Sequence, residues 1–265
     1  MNKALRLTSL MSDNEGFIFK AVADYLKECS IGPVTVIDKP DWKERERQLD
    51  AGEIDIAWIC GLPYVLRADT PDPKIELLAA PVIKGTRYRN EPVYFSDIVV
   101  RKDSRFRSFM DLKGASWAYN EPGSHSGYNV VKYYLAALGL NGDFFSKVIE
   151  SGTHLRSLEM ILNGEIDASA IDSIVLEVET RRYNIGSFLR TIGTIGPSPI
   201  PPLVISNQIP VEDRKYMRDL VVKMDEDPRG HALLEQGDMV RLADVKDRDY
   251  DVIRGMYRKG KDIYL

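Results

Sequence analysis

Apolar and polar positions alternate along this chain with two periods, and they divide it into strands and helices. Leu5 to Met11 reads as a first strand. Phe17, Ile18, Ala21, Val22, Tyr25 and Leu26 recur at helical spacing, which predicts an amphipathic helix to Glu28. Val34 to Ile37 is a second strand, Asp41 to Ala51 a charged helix stopped at Gly52, and Ile54 to Ile59 a largely apolar third strand. Strand and helix alternate with short turns, the pattern of a parallel sheet covered by helices.

The rhythm then changes and repeats. Tyr94 to Arg101 is a long strand, and Ser108 to Leu112 a short helix before Gly114. A second run follows: a strand around Trp117, a helix from Val130 to Leu138, a strand at Val148–Glu150, a helix from Leu155 to Asn163 and a strand from Ala168 to Ile171. Gly52-Glu53-Ile54-Asp55-Ile56-Ala57 and Gly164-Glu165-Ile166-Asp167-Ala168-Ser169-Ala170 are near copies, each after a helix and before a strand. They read as equivalent elements of two similar lobes, although the phrase is also an easy way to stop a helix and start a strand. Pro197-Ser198-Pro199-Ile200-Pro201-Pro202 is stiff, extended chain suited to a crossing between lobes. The expected architecture is α/β. Lobe 1 is 1–93 plus 203–265 and lobe 2 is 94–202, with hinge crossovers near 94–101 and 197–205 and a ligand cleft between the lobes. The region from Val211 is expected to be mostly helical and to pack on lobe 1.

Composition narrows the function. Of 265 residues, 44% are hydrophobic and 29% charged, with a net charge of −4, ordinary for a globular protein and poor for a nucleic-acid surface. No apolar run approaches the roughly 20 residues of a membrane span. The N-terminal segment shows no secretory leader, which places the chain in the cytoplasm as it stands, or in the periplasm or another extracytoplasmic space if a leader has been removed. Cys29 and Cys60 are the two cysteines, and no Cys/His spacing fits zinc. No cofactor is expected.

The densest chemistry lies in Glu121-Pro122-Gly123-Ser124-His125-Ser126-Gly127-Tyr128, between the Trp117 strand and the Val130 helix. A helix start leaves backbone N–H groups unpaired and carries partial positive charge, so it can hold an anion. Ser124 and Ser126 add hydroxyl donors. The plainer reading is an N-capping serine.

Four phrases in order then resemble one family. These are Gly52 to Trp58 with Gly61-Leu62-Pro63-Tyr64-Val65; Tyr94 to Val100; Asp111-Leu112-Lys113-Gly114 through Ser124-His125-Ser126-Gly127-Tyr128; and Ser151-Gly152-Thr153-His154 with Ile171-Asp172 and Ser198-Pro199-Ile200-Pro201. Together they resemble the substrate-binding proteins of phosphate, phosphite and phosphonate ABC transporters, of the type II periplasmic-binding-protein fold. The resemblance runs from about Leu5 to about Ser206. It implies that Ser124, His125 and Ser126 donate to an anion's oxygens, that Tyr64 and Tyr94 reach in from the first lobe and the hinge, that His154 lines the second lobe, and that Asp172 accepts from a protonated oxygen or a cationic group. Trp58 and Cys60 are secondary candidates; each also reads as core. His125 stands where the family usually has threonine, and the acidic residue often found after the return prolines is absent.

The expected function is therefore a solute-binding protein for a small oxyanion or organophosphonate, serving an ABC permease or a sensor protein. It inserts in no membrane and binds no nucleic acid. The alternative is a cytoplasmic enzyme on the same fold, of the menaquinone or pyrimidine-precursor biosynthesis type. No nucleophile and base pair is evident, and no catalytic residue is assigned.

Overall fold

The computed structural model describes residues 4–11, 16–29, 32–39 and 41–265. The N-terminal residues read above for a leader begin outside the described set, at Met1 to Lys3. In chain order the first elements are β1 (Leu5–Ser9), α1 (Gly16–Glu28), β2 (Val34–Val36), α2 (Trp42–Asp50), β3 (Ile56–Trp58), α3 (Gly61–Ala68), β4 (Ile75–Ile83) and β5 (Val93–Arg101). Next come β6 (Ser116–Tyr119), α4 (Val130–Ala137), β7 (Lys147–Glu150), α5 (His154–Leu162), β8 (Ala168–Asp172), α6 (Ser173–Tyr183) and β9 (Leu189–Pro199). The last are β10 (Leu203–Ser206), α7 (Val211–Val222), α8 (Pro228–Gln236), β11 (Met239–Ala243) and α9 (Asp251–Gly260).

The chain forms two compact units, Met1–Val93 with Pro199–Tyr250, and Tyr94–Ser198 with Asp251–Leu265. The first unit holds a six-stranded sheet in the order β11-β4-β10-β3-β1-β2. β1 runs parallel to β2 and β3, whereas β10 and β11 run antiparallel to their neighbours. The second holds a five-stranded sheet in the order β7-β6-β8-β5-β9, with β6 parallel to β7 and β8, and β5 antiparallel to β8. Each sheet is thus mixed rather than wholly parallel. The strands that enter after a crossing run against the βαβ strands beside them.

The second unit's strands alternate across two apolar layers, as the pleat requires. Ile98, Val100 and Trp117 join one cluster and Val99 and Ala118 the other. On the first face Trp117 stacks on Phe145 with ring centroids 4.6 Å apart. On the second, Leu158 and Ile161 of α5 and Val175 of α6 cover the sheet.

Two expectations about the C-terminal region are corrected. Residues 203–265 do not all belong with the first unit, because Asp251–Leu265 joins the second. Met256 enters the Trp117 cluster, and a Cβ on Gly260 would lie 2.8 Å from the Tyr133 backbone nitrogen, so α9 sits tightly on α4. The return segment is also divided differently. Pro199 onward belongs to the first unit, where expectation ended the second region at residue 202. The chain therefore passes between units at Val93/Tyr94, Ser198/Pro199 and Tyr250/Asp251.

Candidate anion-binding site

Because β6, β7 and β8 are parallel, their C-terminal ends lie along one edge of the second sheet, and each leads into a helix start. Ligand sites in α/β sheets favour that edge. After β6 comes the turn at Ser124, after β7 the start of α5 at His154, and after β8 the start of α6 at Ser173. Three helix starts at one edge add their positive ends there.

The first start is unusual. His125–Asn129 forms a π-helical turn that runs straight into α4, and the Asn129 N–H donates to the Ser124 carbonyl at 3.0 Å, five residues back. Such wide turns recur at functional sites. Ser124 caps it, its hydroxyl oxygen accepting from the Gly127 N–H at 3.0 Å, which leaves the Ser124 O–H available to donate. Gly127 is required by crowding: a Cβ there would lie 1.9 Å from Asn120 Oδ1 and 3.1 Å from His154 Cε1.

Ser126 and His154 join the first two starts, with Ser126 Oγ 3.1 Å from His154 Nε2. His154 Nδ1 and Asn120 Oδ1 are buried and make no hydrogen bond among the described residues. A proton on Nδ1 would be a stranded buried donor, so the proton sits better on Nε2, donating to Ser126 Oγ. In that tautomer the Ser126 O–H is free for a ligand oxygen. Burial lowers the His154 pKa to about 4, so the ring is neutral at pH 7.

Asp172 is 1% exposed and caps α6, its carboxylate accepting from the Ile174 N–H at 2.8 Å. Burial is the largest influence on it and raises its pKa to about 7, with the Asp97 charge adding to the rise against hydrogen bonds from the α6 backbone. A carboxyl poised near neutrality can donate to one anion oxygen or accept from a protonated one. Tyr94 is the second residue of β5, at the same edge, where the Phe95 N–H donates to Ser173 Oγ at 3.1 Å and Ser96 lies opposite Asp172. Its ring centroid is 6.4 Å from that of His125.

His125 departs from expectation. The Asn129 amide nitrogen, which can only donate, lies 3.0 Å from His125 Nδ1, and His125 Nε2 lies 3.0 Å from Ser198 Oγ. Nδ1 therefore accepts, Nε2–H donates, and both ring nitrogens are engaged within the protein. Burial pushes its pKa down to about 3, in keeping with a neutral ring. Both ring nitrogens thus have partners within the unit, where the resemblance implied a donor turned to an anion. With both histidines neutral, the donors this edge offers are helix-start N–H groups and hydroxyls.

The structure thus brings together Tyr94, Ser124, His125, Ser126, His154 and Asp172 in one unit. Tyr64, Trp58 and Cys60 belong to the other. The Tyr64 hydroxyl donates to Asp247 Oδ1 at 2.7 Å and its ring packs edge-on against Tyr250, so the group expected to reach a ligand is engaged locally. Trp58 is fully buried and its Nε1–H donates to the Pro201 carbonyl at 2.9 Å. Cys60 is partly exposed and precedes α3 without capping it through its side chain. Sequence reasoning missed Asn120, Asn129 and Ser198 as members of the cluster. Asn129 carried a signal, since it lies one helical turn beyond His125. Ser198 stood in one of the family phrases but with no role assigned to it, and Asn120 carried no signal.

Among the described residues no helix is long and apolar enough to cross a membrane, and no group of His, Cys, Asp and Glu is arranged to hold a metal ion. The model of the periplasmic substrate-binding proteins of phosphonate ABC transporters matches residues 13–250. Among solved structures, the binding protein component of an ABC phosphonate transporter from Pseudomonas aeruginosa is 19% identical, with 98% of this chain and 87% of that chain covered and a TM-score of 0.83. PhnD1 from Prochlorococcus marinus in complex with methylphosphonate is 19% identical over 98% of this chain and 99% of that one, with a TM-score of 0.81. The periplasmic aliphatic sulphonate binding protein SsuA from Escherichia coli is more distant, at 14% identity over 97% and 86% and a TM-score of 0.68.

Proposed function

The chain belongs to the periplasmic substrate-binding proteins of phosphonate ABC transporters, and from that premise we propose that it binds a small organophosphonate or related tetrahedral oxyanion and delivers it to an ABC permease outside the cytoplasm. One observation carries the ligand reading. Three helix starts, bearing Ser124 and Ser126, His154, and Asp172, meet at the carboxyl edge of one sheet with neutral histidines and available hydroxyls. Methylphosphonate in a relative of the same fold supports the ligand class.

In this reading the Ser124 and Ser126 hydroxyls and the N–H groups of the π-helical turn donate to two of the ligand's oxygens. An ionised Asp172 accepts a hydrogen bond from a P–OH, or a protonated Asp172 donates one to a fully ionised oxygen. No bond is made or broken in the ligand. The family assignment favours this reading over the enzyme alternative.

A thermal-shift series with methylphosphonate, aminoethylphosphonate, phosphite, phosphate, methanesulfonate, sulfate and small carboxylates tests it. A true ligand at about 100 times its Kd stabilises the fold by about 2.7 kcal/mol. Silence from every phosphorus compound, with stabilisation by a sulfonate or carboxylate, would overturn the ligand class.

A further inference from the structure

We propose that His125 is a positioning residue that pins the anion-binding turn to the strands by which the chain enters and leaves the second unit. It is not itself a ligand donor. The proposal rests on the site reading above and names what holds that site in shape.

The geometry is closed on every side of the ring. Nε2–H donates to Ser198 at 3.0 Å, and Ser198 is the last residue of its unit before the chain passes to Pro199. Nδ1 accepts from Asn129 at 3.0 Å, and Asn129 closes the π-helical turn by its own backbone bond to the Ser124 carbonyl. The ring stands beside Tyr94, the first residue of the unit after Val93. One side chain therefore touches the turn that carries Ser124 and Ser126, the entering strand β5 and the leaving strand β9. The ring is fully buried, and losing either bond would leave a buried polar group of Asn129 or Ser198 without that partner.

A π-helical turn has weaker internal support than an α-helix, because its i→i+5 geometry recurs only as single turns. An external brace is what holds its serines at a fixed spacing. A neutral imidazole of fixed tautomer suits the task, since it offers one donor and one acceptor at two corners of a rigid ring, both in its plane. Glutamine offers the same pair, with the amide nitrogen toward Ser198 and the carbonyl oxygen toward Asn129. Alanine offers neither.

The test combines nitrogen-15 NMR of labelled histidine with calorimetry using methylphosphonate. The expected spectrum, without ligand, shows His125 protonated at Nε2 and bare at Nδ1, and this pattern persists when methylphosphonate is added. His125→Ala should weaken methylphosphonate binding by about 10-fold or more, and His125→Gln should recover it to within about 3-fold of the parent. Ser198→Ala should reproduce part of the loss and add little in the His125→Ala background, because the two form one linkage. If His125→Ala does not fold, Ser198→Ala and His125→Gln carry the comparison.

A His125 ring that titrates near pH 6.5, or one whose Nε2 couples to the phosphorus of bound methylphosphonate, would overturn the pin. Full affinity in a folded His125→Ala variant would do the same. Failure of the parent protein to bind any phosphorus compound would count against the proposed function instead, and the ligand-free spectrum would still decide the pin.

Discussion

Asp55 and Asp167 hold equivalent stations in the two sheets. Asp55 Oδ2 accepts from the Arg6 backbone N–H at 2.8 Å, and Asp167 Oδ2 accepts from the Ser116 backbone N–H at 2.8 Å. Each aspartate returns the bond through its own N–H, to the Arg6 carbonyl at 2.8 Å and to the Ser116 carbonyl at 3.2 Å. Before each stands a glycine in the left-handed region, Gly52 at φ 71° and Gly164 at φ 73°, ending the preceding helix. The repeated Gly-Glu-Ile-Asp phrase is thus a device that docks β3 on β1 and β8 on β6.

Asp167→Ala leaves the Ser116 N–H and hydroxyl without their shared acceptor, which lies 2.8 and 2.7 Å away. We expect a loss of roughly 1–3 kcal/mol. Asp55→Ala should cost at least as much, since it also frees Arg6 Nε, 3.3 Å from the carboxylate. Urea unfolding checks both. An unchanged midpoint for either would mean the docking bond adds nothing over water.

Ser126→Ala removes the hydroxyl that His154 Nε2 approaches at 3.1 Å. Methylphosphonate binding should weaken by roughly 1–3 kcal/mol, the worth of one charge-assisted bond. Calorimetry showing the parent affinity would remove Ser126 from the set of anion donors.

How far the chain could be read depends on what each segment's residues permit. β6 was legible around Trp117, because a short apolar stretch between Gly114 and Pro122 leaves little else to form. β4 went unread, although it lies inside its sheet between β11 and β10. Pro81 falls in its run, opposite Leu242, and a proline without an N–H argues against an interior strand. β9 was hidden for a related reason. Pro197 to Pro199 read as part of a crossing, yet they close an edge strand, a position where proline is tolerated. The helix start at Ser124 was legible because small polar residues between an apolar strand and a helical run suit an N-cap. The partners of His125 were not. Its partner Ser198 lies 73 residues away, and only the folded sheet brings them to 3.0 Å.

Gly127→Ala tests how tightly the site is packed. The new methyl would overlap Asn120 Oδ1 at 1.9 Å and press His154 Cε1 at 3.1 Å. Both neighbours are buried, so the strain has little room to relax. We expect roughly 1–3 kcal/mol of destabilisation together with lost methylphosphonate binding. A variant with the parent melting temperature and affinity would contradict this packing.

Gly260→Ala examines the assignment of α9 to the second unit. Its Cβ would stand 2.8 Å from the Tyr133 nitrogen and 3.1 Å from Lys132 Cβ, backbone and near-backbone atoms that cannot swing away. Alanine normally favours a helix over glycine by about 1 kcal/mol. Here the outcome should be destabilisation, seen as faster amide hydrogen exchange in α4 and α9 together. Stabilisation by this substitution would show that the two helices are not in such close contact.

The pH dependence of stability follows from Asp172. Its pKa in the folded chain is raised from 3.8 to about 7, chiefly by burial. Below pH 3.8 the group is protonated whether the chain is folded or not, and it favours neither state. Between pH 3.8 and about 7 the unfolded chain releases the proton while the folded chain keeps it, so folding stability declines as pH rises through this window. Above about 7 both forms are ionised and the decline stops, leaving the folded state with a buried carboxylate. Asp172→Asn removes the titration yet keeps an oxygen to cap α6, because asparagine is as good an N-cap as aspartate. The urea midpoint of the variant should therefore vary less between pH 5 and pH 8 than that of the parent, and should exceed the parent's most at pH 8. The same proton governs ligand choice. A protonated Asp172 donates to a dianionic phosphonate, whereas an ionised one requires a P–OH, so affinity for dianions should fall as pH passes about 7 and the fall should vanish in Asp172→Asn. A variant whose stability and affinity keep the parent's pH slopes would assign both to another group.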